Sequence, residues 1–313
     1  MTTGGPDVGP LHNRAMRWKL ALGALTASWG LIAVLVAAVD LGAEALVFWR
    51  LALAALTLAL GAIVIGRPEL LAPRGRLPAL ALLGVVQGAH WLLFFEAVKH
   101  GSVALAVLTF YAAPLLLAVV APLVLPERWS GVVLGAASVG AVGIALISLD
   151  SGDGSSSPWA VAAGLGSAAT YAVLVVLSKR LLLAETPPLT VAFWDCAVGA
   201  LVVAPVLVVA GRIVPDGIDE WAAVLALGVL LTGVSTLLYA TFLRHVSAQA
   251  AGVLTFLEPV AGVLLAWTLL AEKPGGTTLA GGVLVLAAGL AVVLVEPSET
   301  RVADAPAGIG SSR

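Results

Sequence analysis

The feature that most limits how this chain can fold is an internal repeat with a spacing of 145 residues. Across that interval Pro114 matches Pro259, and Glu127 matches Glu272. Further matches join His100 to His245, Ser102 to Ser247, Gly131 to Gly276, Phe48-Trp49 to Phe193-Trp194 and Gly66-Arg67 to Gly211-Arg212. Each copy contains five apolar stretches of about 20 residues, the length at which a helix crosses a bilayer core. Because five is odd, the second copy enters the membrane from the opposite side, as in proteins built from inverted-topology repeats.

The composition agrees with a membrane protein. Hydrophobic residues make up 60% of the chain and charged residues 11%, whereas soluble domains are about 25% charged. Backbone groups in lipid must bond internally, which leaves helices or closed barrels, and these runs are too long and uniformly apolar for barrel strands. The sequence therefore predicts an all-α integral membrane protein with ten transmembrane helices in two inverted five-helix repeats. The predicted helices are 17–38, 45–65, 77–98, 102–125, 130–149, 158–180, 188–210, 220–243, 247–271 and 276–295.

Segments rich in Gly, Pro, Ser and Thr predict where the repeats begin and end. The predicted organisation is a disordered cytoplasmic tail at 1–16, a first repeat at 17–149, an external linker at 150–157, a second repeat at 158–295 and a disordered cytoplasmic tail at 296–313. The first apolar run could also be read as a signal peptide. Its copy in the second half occupies the place of an ordinary span, so we expect the run to be a permanent helix.

The distribution of Lys and Arg predicts the orientation of the chain in the membrane. With a cytoplasmic N-terminus, twelve basic residues lie inside and three outside, while Arg50 lies within a span. The inside set is Arg14, Arg17, Lys19, Arg67, Arg74, Arg76, Arg128, Lys179, Arg180, Arg244, Arg301 and Arg313; the outside set is Lys99, Arg212 and Lys273. This bias predicts a multi-pass protein of the plasma (inner) membrane with both termini in the cytoplasm.

Two segments resemble a known family of membrane proteins. The segment FYAAPLLLAVVAPLVLPERWSGVVLG (110–135) and its copy FLEPVAGVLLAWTLLAEKPGGTTLAGG (256–282) resemble the last two spans of each EamA domain in exporters of the drug/metabolite transporter (DMT) superfamily. FWRLALAALTLAL (48–60) resembles the second-span pattern, including its arginine. The resemblance covers residues 17–295 and implies ten helices around a central cavity and the export of small metabolites. His90 and Glu96 in the third span depart from the family pattern.

Two polar and aromatic stripes predict a substrate cavity. Gln87, His90, Trp91 and Phe94 have the i, i+3, i+4, i+7 spacing of one helix face. Adding 145 places a second stripe on the eighth span. The predicted cavity residues are Gln87, His90, Trp91, Phe94, Tyr111, Thr232, Ser235, Thr236 and Tyr239. The alternative is hydrogen bonding between helices without a cavity.

Three ionisable residues within spans are predicted to couple protons or recognise substrate charge: Glu258, His90 and Arg50. Each is expensive to hold in lipid. Glu258 directly precedes Pro259, and we expect Pro114 and Pro259 to break their helices because proline lacks a backbone donor. Glu258 is the expected proton or amine site, with His90 as the rival proton carrier. Each also has a structural alternative: Glu258 could seal the helix defect, His90 could bond a neighbouring helix, and Arg50 could snorkel.

Other polar and small residues are expected to be structural. Asp195 is the repeat equivalent of Arg50, but inversion places the two at opposite depths, so no direct salt bridge is expected. Glu96 is expected to be a packing or rim residue near the outer helix end, and Glu127 and Glu272 are expected to be solvated interfacial charges. The matches Gly84-x-x-x-Gly88 and Gly131-x-x-x-Gly135 permit close helix contact, but in a chain with 34 glycines we expect such matches by chance.

Missing motifs narrow the function. There is no GxxxxGK[ST], HExxH or GxSxG, and the single cysteine, Cys196, allows no disulfide framework. We therefore expect no enzyme activity, cofactor or metal, and the net charge of −2 predicts no nucleic-acid partner. The expected function is secondary active transport: proton-coupled export of amino acids or similar small metabolites by alternating access, with the substrate, the lipid bilayer and protons as partners. The alternatives are a drug or cation exporter and a non-transporting sensor or assembly protein; a homo-oligomer is left open.

Overall fold

A computed structural model describes residues 10–37, 39–101, 103–149, 157–209, 211–270 and 274–295. Most of the predicted linker, the C-terminal tail and the first nine residues of the N-terminal tail lie outside the described residues, as does Glu272. The described part is helical, and ten of its helical segments are long and apolar enough to cross a membrane. These spans are Ala15–Val36, Ala43–Val64, Leu77–His100, Leu105–Val124, Gly131–Ser148, Pro158–Leu183, Pro188–Val208, Gly217–Leu243, Ala248–Leu269 and Gly276–Val295. The predicted fold class is confirmed, while the exact repeat boundaries stay a prediction.

The spans are built from fourteen α-helices and one π-helical segment. In the first repeat these are α1 (Pro10–Ser28), α2 (Gly30–Ala37), α3 (Ala43–Val64), α4 (Leu77–His100), α5 (Val103–Phe110), α6 (Ala113–Val124) and α7 (Gly131–Leu149). In the second they are α8 (Pro158–Leu183), α9 (Pro188–Val203), α10 (Gly217–Leu225), the π-helix Ala226–Val234, α11 (Ser235–Leu243), α12 (Ala248–Leu254), α13 (Leu257–Leu270) and α14 (Gly276–Val295). Short 3₁₀ segments, Pro68–Leu71 and Ala204–Val209, complete the described elements.

The fourth and ninth spans are each broken at the repeat-equivalent place. In the fourth span α5 ends at Phe110 and α6 begins at Ala113; in the ninth α12 ends at Leu254 and α13 begins at Leu257. Pro114 and Pro259 lie in the first turn of the second half-helix, where a missing N–H costs little. Each break therefore falls in a two-residue turn just upstream of the proline.

Small residues bring particular helices into close contact. A Cβ added to Gly84 would lie 2.4 Å from Val198 Cβ, and one added to Gly88 would lie 2.6 Å from Val202 Cβ, so α4 packs closely on α9 at both positions. Of the two glycine matches, which the sequence could not distinguish from chance, this pair makes the close helix contact. Gly131 and Gly135 have nothing within 4 Å of an added Cβ, as a chance match requires.

Glu127 also differs from expectation, because it is buried and its carboxylate bonds the N-terminus of α12. Oε1 accepts from the Ala248 backbone N–H at 2.7 Å, and Oε2 accepts from the Gln249 side chain at 3.3 Å. Ser247 caps the same helix through Ala250 N–H at 3.1 Å. The first backbone N–H groups of a helix lack partners within it, and Glu127 supplies the acceptor for those of α12. Its carboxylate therefore caps a helix instead of facing solvent.

Contacts between loops follow the expected alternation of sides. The segment before α4 meets the start of α9 through Arg76, which donates to Thr186 Oγ1 at 2.5 Å, and Trp194, which donates to the Leu71 carbonyl at 2.9 Å. On the opposite side Arg212 bonds the Asp40 carbonyl and, at 2.5 Å, Glu220. Each set joins the two repeats at one membrane face.

Candidate functional site

Arg50 on α3 connects the two predicted stripes. It is buried, its Nε donates to Thr232 Oγ1 at 3.2 Å, and its guanidinium carbon lies 5.0 Å from the centre of the Trp91 ring. Thr232 belongs to the eighth span and Trp91 to the third. A cation over an indole face is attracted by the ring quadrupole, so the third and eighth spans share this guanidinium.

The π-helix sets the position of Thr232. Its hydroxyl donates to the Leu227 carbonyl, five residues back, at 2.7 Å and accepts from Arg50. The repeat-equivalent segment in the third span is ordinary α-helix within α4. Single π-helical turns often occur at functional sites, and this one lies where the eighth span meets Arg50.

Gln87 and Asp195 form the repeat equivalent of that contact. Adding 145 to 50 gives 195, and adding 145 to 87 gives 232. Gln87 Nε2 donates to Asp195 Oδ2 at 3.2 Å. The other oxygen, Asp195 Oδ1, is buried and has no hydrogen-bond partner among the described residues. As expected, no salt bridge joins Arg50 and Asp195 in the part of the chain that the structure describes.

Glu258 lies in the first turn of α13, where the positive end of a helix dipole favours a carboxylate. It is half-buried. Its charge acts on Arg50, and the hydroxyl of Tyr111 faces it. Within the described chain, Arg50 and Glu258 do not form a direct ion pair. Two opposite charges are thus close enough to interact without neutralising each other in direct contact.

A cluster of aromatic rings, the aromatic wall (Phe94, Phe110, Tyr111 and Tyr171), adjoins Glu258 through Tyr111. The Phe110 ring centre lies 5.0 Å from that of Tyr111 and 6.0 Å from that of Phe94. Tyr171 on α8 adds a ring 5.3 Å from Phe110 and approaches Tyr239, whose hydroxyl is buried without a hydrogen-bond partner among the described residues. Apolar walls of this kind with a few polar groups are typical of small-molecule sites.

His90 bonds a neighbouring helix. Its Nδ1 lies 3.0 Å from Ser167 Oγ and 3.1 Å from the Ser167 carbonyl, and its ring packs 5.5 Å from that of Tyr171. Ser167 and Tyr171 are both on α8. This arrangement matches the structural alternative for His90, although one face of the ring adjoins the aromatic wall.

The remaining residues of the second stripe bond different helices. Ser235 accepts from the indole N–H of Trp29, which lies at the turn between α1 and α2. Thr236 lies within hydrogen-bonding reach of Cys196 on α9. The two predicted stripes therefore both contact Arg50, whereas their other members bond different helices. Their role in substrate binding stays a prediction.

Sequence reasoning missed five participants: Trp29, Phe110, Ser167, Tyr171 and Asp195. Only Asp195 carried a usable signal, since it is the repeat equivalent of Arg50 and lies within a span. Glu96 lies at the rim as expected, with Oε2 accepting from Trp159 Nε1 at 3.3 Å. Among the described residues, no group of three or more His, Cys, Asp or Glu side chains could hold a metal ion.

Comparison with known proteins agrees with this architecture. The model of the EamA-like transporter family matches residues 16–149 and 158–294. The pseudopaline exporter CntI of Pseudomonas aeruginosa is 29% identical over 219 residues, which are 70% of this chain and 76% of that protein. The transporter YxxF of Bacillus subtilis is 26% identical over 66% of each chain. A solved crystal structure superposes with a TM-score of 0.77 at 21% identity, covering 89% of this chain and 97% of the other, and so supports the fold.

Proposed function

Because the chain belongs to the EamA-like transporter family, with the family model matching both halves, we propose that it exports amino acids or similar small metabolites. The observation that carries this proposal is the pair Arg50 and Glu258. These are opposite charges within the membrane-spanning part that interact without a direct ion pair. An amino acid carries the complementary pair, a carboxylate for Arg50 and an ammonium for Glu258.

The energetics favour an occupant between the two groups. A charged side chain at the centre of a spanning helix costs about 2.5–3.5 kcal/mol on insertion scales. Thr232 and Trp91 compensate the guanidinium only in part, because both are neutral. A bound carboxylate would give Arg50 a charge-assisted hydrogen bond, roughly twice as strong as a neutral one.

The aromatic wall supports a substrate with an apolar portion. Tyr111 faces Glu258, Phe110 and Phe94 extend the ring cluster away from it, and Glu258 itself lies in the first turn of the half-helix that begins at Leu257. Discontinuous helices near the midplane are a common feature of transporter binding sites. We propose that the two repeats rock around this place, so that it opens to each side in turn.

The proposal includes a proton gradient as the driving force and a position in the plasma membrane with both termini in the cytoplasm. The absence of a phosphate-binding GxxxxGK[ST] motif from the sequence supports a gradient rather than ATP. The basic bias of twelve residues to three supports the orientation. The relative named as a pseudopaline exporter supports the outward direction of transport.

A growth-tolerance screen tests the proposed function. Cells that overexpress the protein are challenged with amino acids, dipeptides and toxic cations, and compared with cells expressing Arg50→Gln or Glu258→Gln. We expect tolerance to an amino acid or dipeptide that both variants lose, while the rim variant Glu96→Gln retains it. Tolerance to cations that survives Arg50→Gln would instead support a drug or cation exporter. Tolerance to none of the panel would contradict the proposal.

A further inference from the structure

We propose that Asp195 and Gln87 form the proton-binding site that drives transport, separate from the substrate charges at Arg50 and Glu258. This inference rests on the proposed function. Asp195 is 4% exposed, and Gln87 donates to its Oδ2 at 3.2 Å. The buried Oδ1 has no partner among the described residues. Since the amide N–H occupies Oδ2, Oδ1 is the oxygen that carries the proton.

No cation compensates an ionised Asp195 in the described chain. Arg50 on α3 is directed at Thr232 and Trp91, and His90 on α4 bonds Ser167 of α8. Polar groups on the other elements packed against α9 are neutral or bonded elsewhere: Thr236 and Tyr239 on α11 are neutral, and Lys179 on α8 bonds the Leu243 and Val246 carbonyls through Nζ. Burial of an unpaired carboxylate is costly, and binding a proton removes that charge.

Glu258 is placed differently. Its charge acts on Arg50 and Tyr111 faces it, so its ionised form has a buried positive partner. Among the described residues, the neutral amide of Gln87 is the only hydrogen-bond partner of the Asp195 carboxylate. Of the two carboxylates, Asp195 is therefore the one whose charge depends on gaining or losing a proton, and Glu258 is the one suited to a substrate ammonium.

A metal cation does not fit the same place. Hard cations take six or more oxygen ligands in protein sites. Around Asp195 the described residues offer its own two oxygens and the Gln87 amide, and they contain no group of three or more His, Cys, Asp or Glu that could hold a metal. A single proton needs only the one free oxygen.

The inverted repeat separates the two sites along the membrane normal. Arg50 lies seven residues from the start of α3 at Ala43, and Asp195 lies seven residues from the start of α9 at Pro188. At 1.5 Å per residue each is about 10 Å deep, from opposite faces. When the path is open to the outside Asp195 takes up a proton, and when it is open to the cytoplasm that proton is released. The proton thus moves inward while substrate moves outward.

Proteoliposome transport under a pH gradient tests the assignment. With one proton per substrate, a gradient of one pH unit sustains about tenfold accumulation. Asp195→Asn keeps the size and the acceptor for Gln87 but cannot exchange a proton. We expect it to catalyse substrate exchange at equal pH and to lose gradient-driven accumulation. The matched carboxyl-to-amide control, Glu96→Gln, should accumulate like the native protein. Full accumulation by Asp195→Asn would overturn the inference, whereas a native protein that moves no substrate would overturn the proposed function instead.

Infrared difference spectroscopy gives a readout that does not need transport. The difference between spectra in acidic and alkaline buffer should contain the carbonyl band of a protonated carboxyl, and Asp195→Asn should remove that band. Should Asp195→Asn not fold, Gln87→Leu keeps the carboxyl but removes its donor, so the band should shift in frequency. A band unchanged in Gln87→Leu, or retained in a folded Asp195→Asn, would contradict the assignment.

Discussion

Gln87 donates a hydrogen bond to Asp195 across 3.2 Å, and the repeat places these residues where Thr232 and Arg50 stand in the other half of the molecule. The second contact also spans 3.2 Å. In each contact a charged side chain on the second or seventh span bonds a neutral side chain of the opposite repeat. The charged side chain is the cation Arg50 in one contact and the carboxylate Asp195 in the other. One position holds a cation near the aromatic wall, and the other holds a carboxylate with an unpaired oxygen. We propose that this difference in charge lets one architecture provide two different sites.

Thr232→Val should weaken substrate affinity by about tenfold or more, because hydrogen bonds to charged groups contribute about 1.5–3 kcal/mol and Arg50 loses its partner. Valine keeps the shape of threonine. The control is Thr241→Val, because within the described part of the chain the Thr241 hydroxyl bonds the Leu237 carbonyl of its own helix and no other residue. Substrate binding to purified protein, measured by calorimetry, checks this. Equal affinities of the two variants would mean that Thr232 does not position Arg50.

Gly84→Ala should lower the free energy of unfolding by about 1–3 kcal/mol, the usual cost of overpacking. The added methyl group would meet Val198 Cβ at 2.4 Å and the Trp194 carbonyl at 2.8 Å. Gly135→Ala is the matched change at a position with open space, and it should be neutral or stabilise by up to about 1 kcal/mol. Thermal unfolding in detergent distinguishes them. A Gly84→Ala protein as stable as Gly135→Ala would show that α4 and α9 do not pack as described.

Glu127→Ala should destabilise the protein by about 1–3 kcal/mol, because buried N–H groups at the start of α12 would lose their acceptor. Glu69→Ala removes an exposed carboxylate and should change stability little. The comparison uses the same unfolding assay. Similar thermal unfolding midpoints for both variants would indicate that Glu127 is a solvated interfacial charge.

The orientation predicts that Glu69 and Asp216 face opposite sides of the membrane. In a Cys196→Ala background, a cysteine at Asp216 should react with an impermeant maleimide added to intact cells, and a cysteine at Glu69 should react only after the cells are opened. Both native positions are exposed, so reactivity depends on sidedness. Labelling of Glu69→Cys from outside would reverse or refute the assigned topology.

The ten spans were predictable because long apolar runs have few other solutions in a chain of this composition. The pair of helix breaks was predictable from Pro114 and Pro259, since proline cannot donate to the preceding turn. The partner of Asp195 follows from the repeat once the contact between Arg50 and Thr232 is known, because adding 145 to 50 and 87 gives 195 and 232.

Other features depend on contacts that no local pattern records. Glu127 bonds Ala248, 121 residues away, so its burial follows from how the repeats assemble. The close packing at Gly84 could be distinguished from the open space at Gly135 only after the structure placed Val198 of α9 beside Gly84. The turn at Trp29 and the π-helix Ala226–Val234 have no counterpart in the other repeat, so the repeat itself could not predict them.

The most direct test of a site for amino-acid-like substrates is counterflow in proteoliposomes at equal pH, where no gradient contributes. Liposomes are loaded with the substrate that the tolerance screen identifies, and uptake of labelled substrate is compared with uptake of its amide, which lacks the carboxylate, and its deaminated acid, which lacks the ammonium. We predict that the native protein takes up the intact substrate far faster than either analogue. Arg50→Gln should lose the preference over the amide, and Glu258→Gln the preference over the acid. Equal uptake of all three compounds by the native protein would contradict recognition by Arg50 and Glu258.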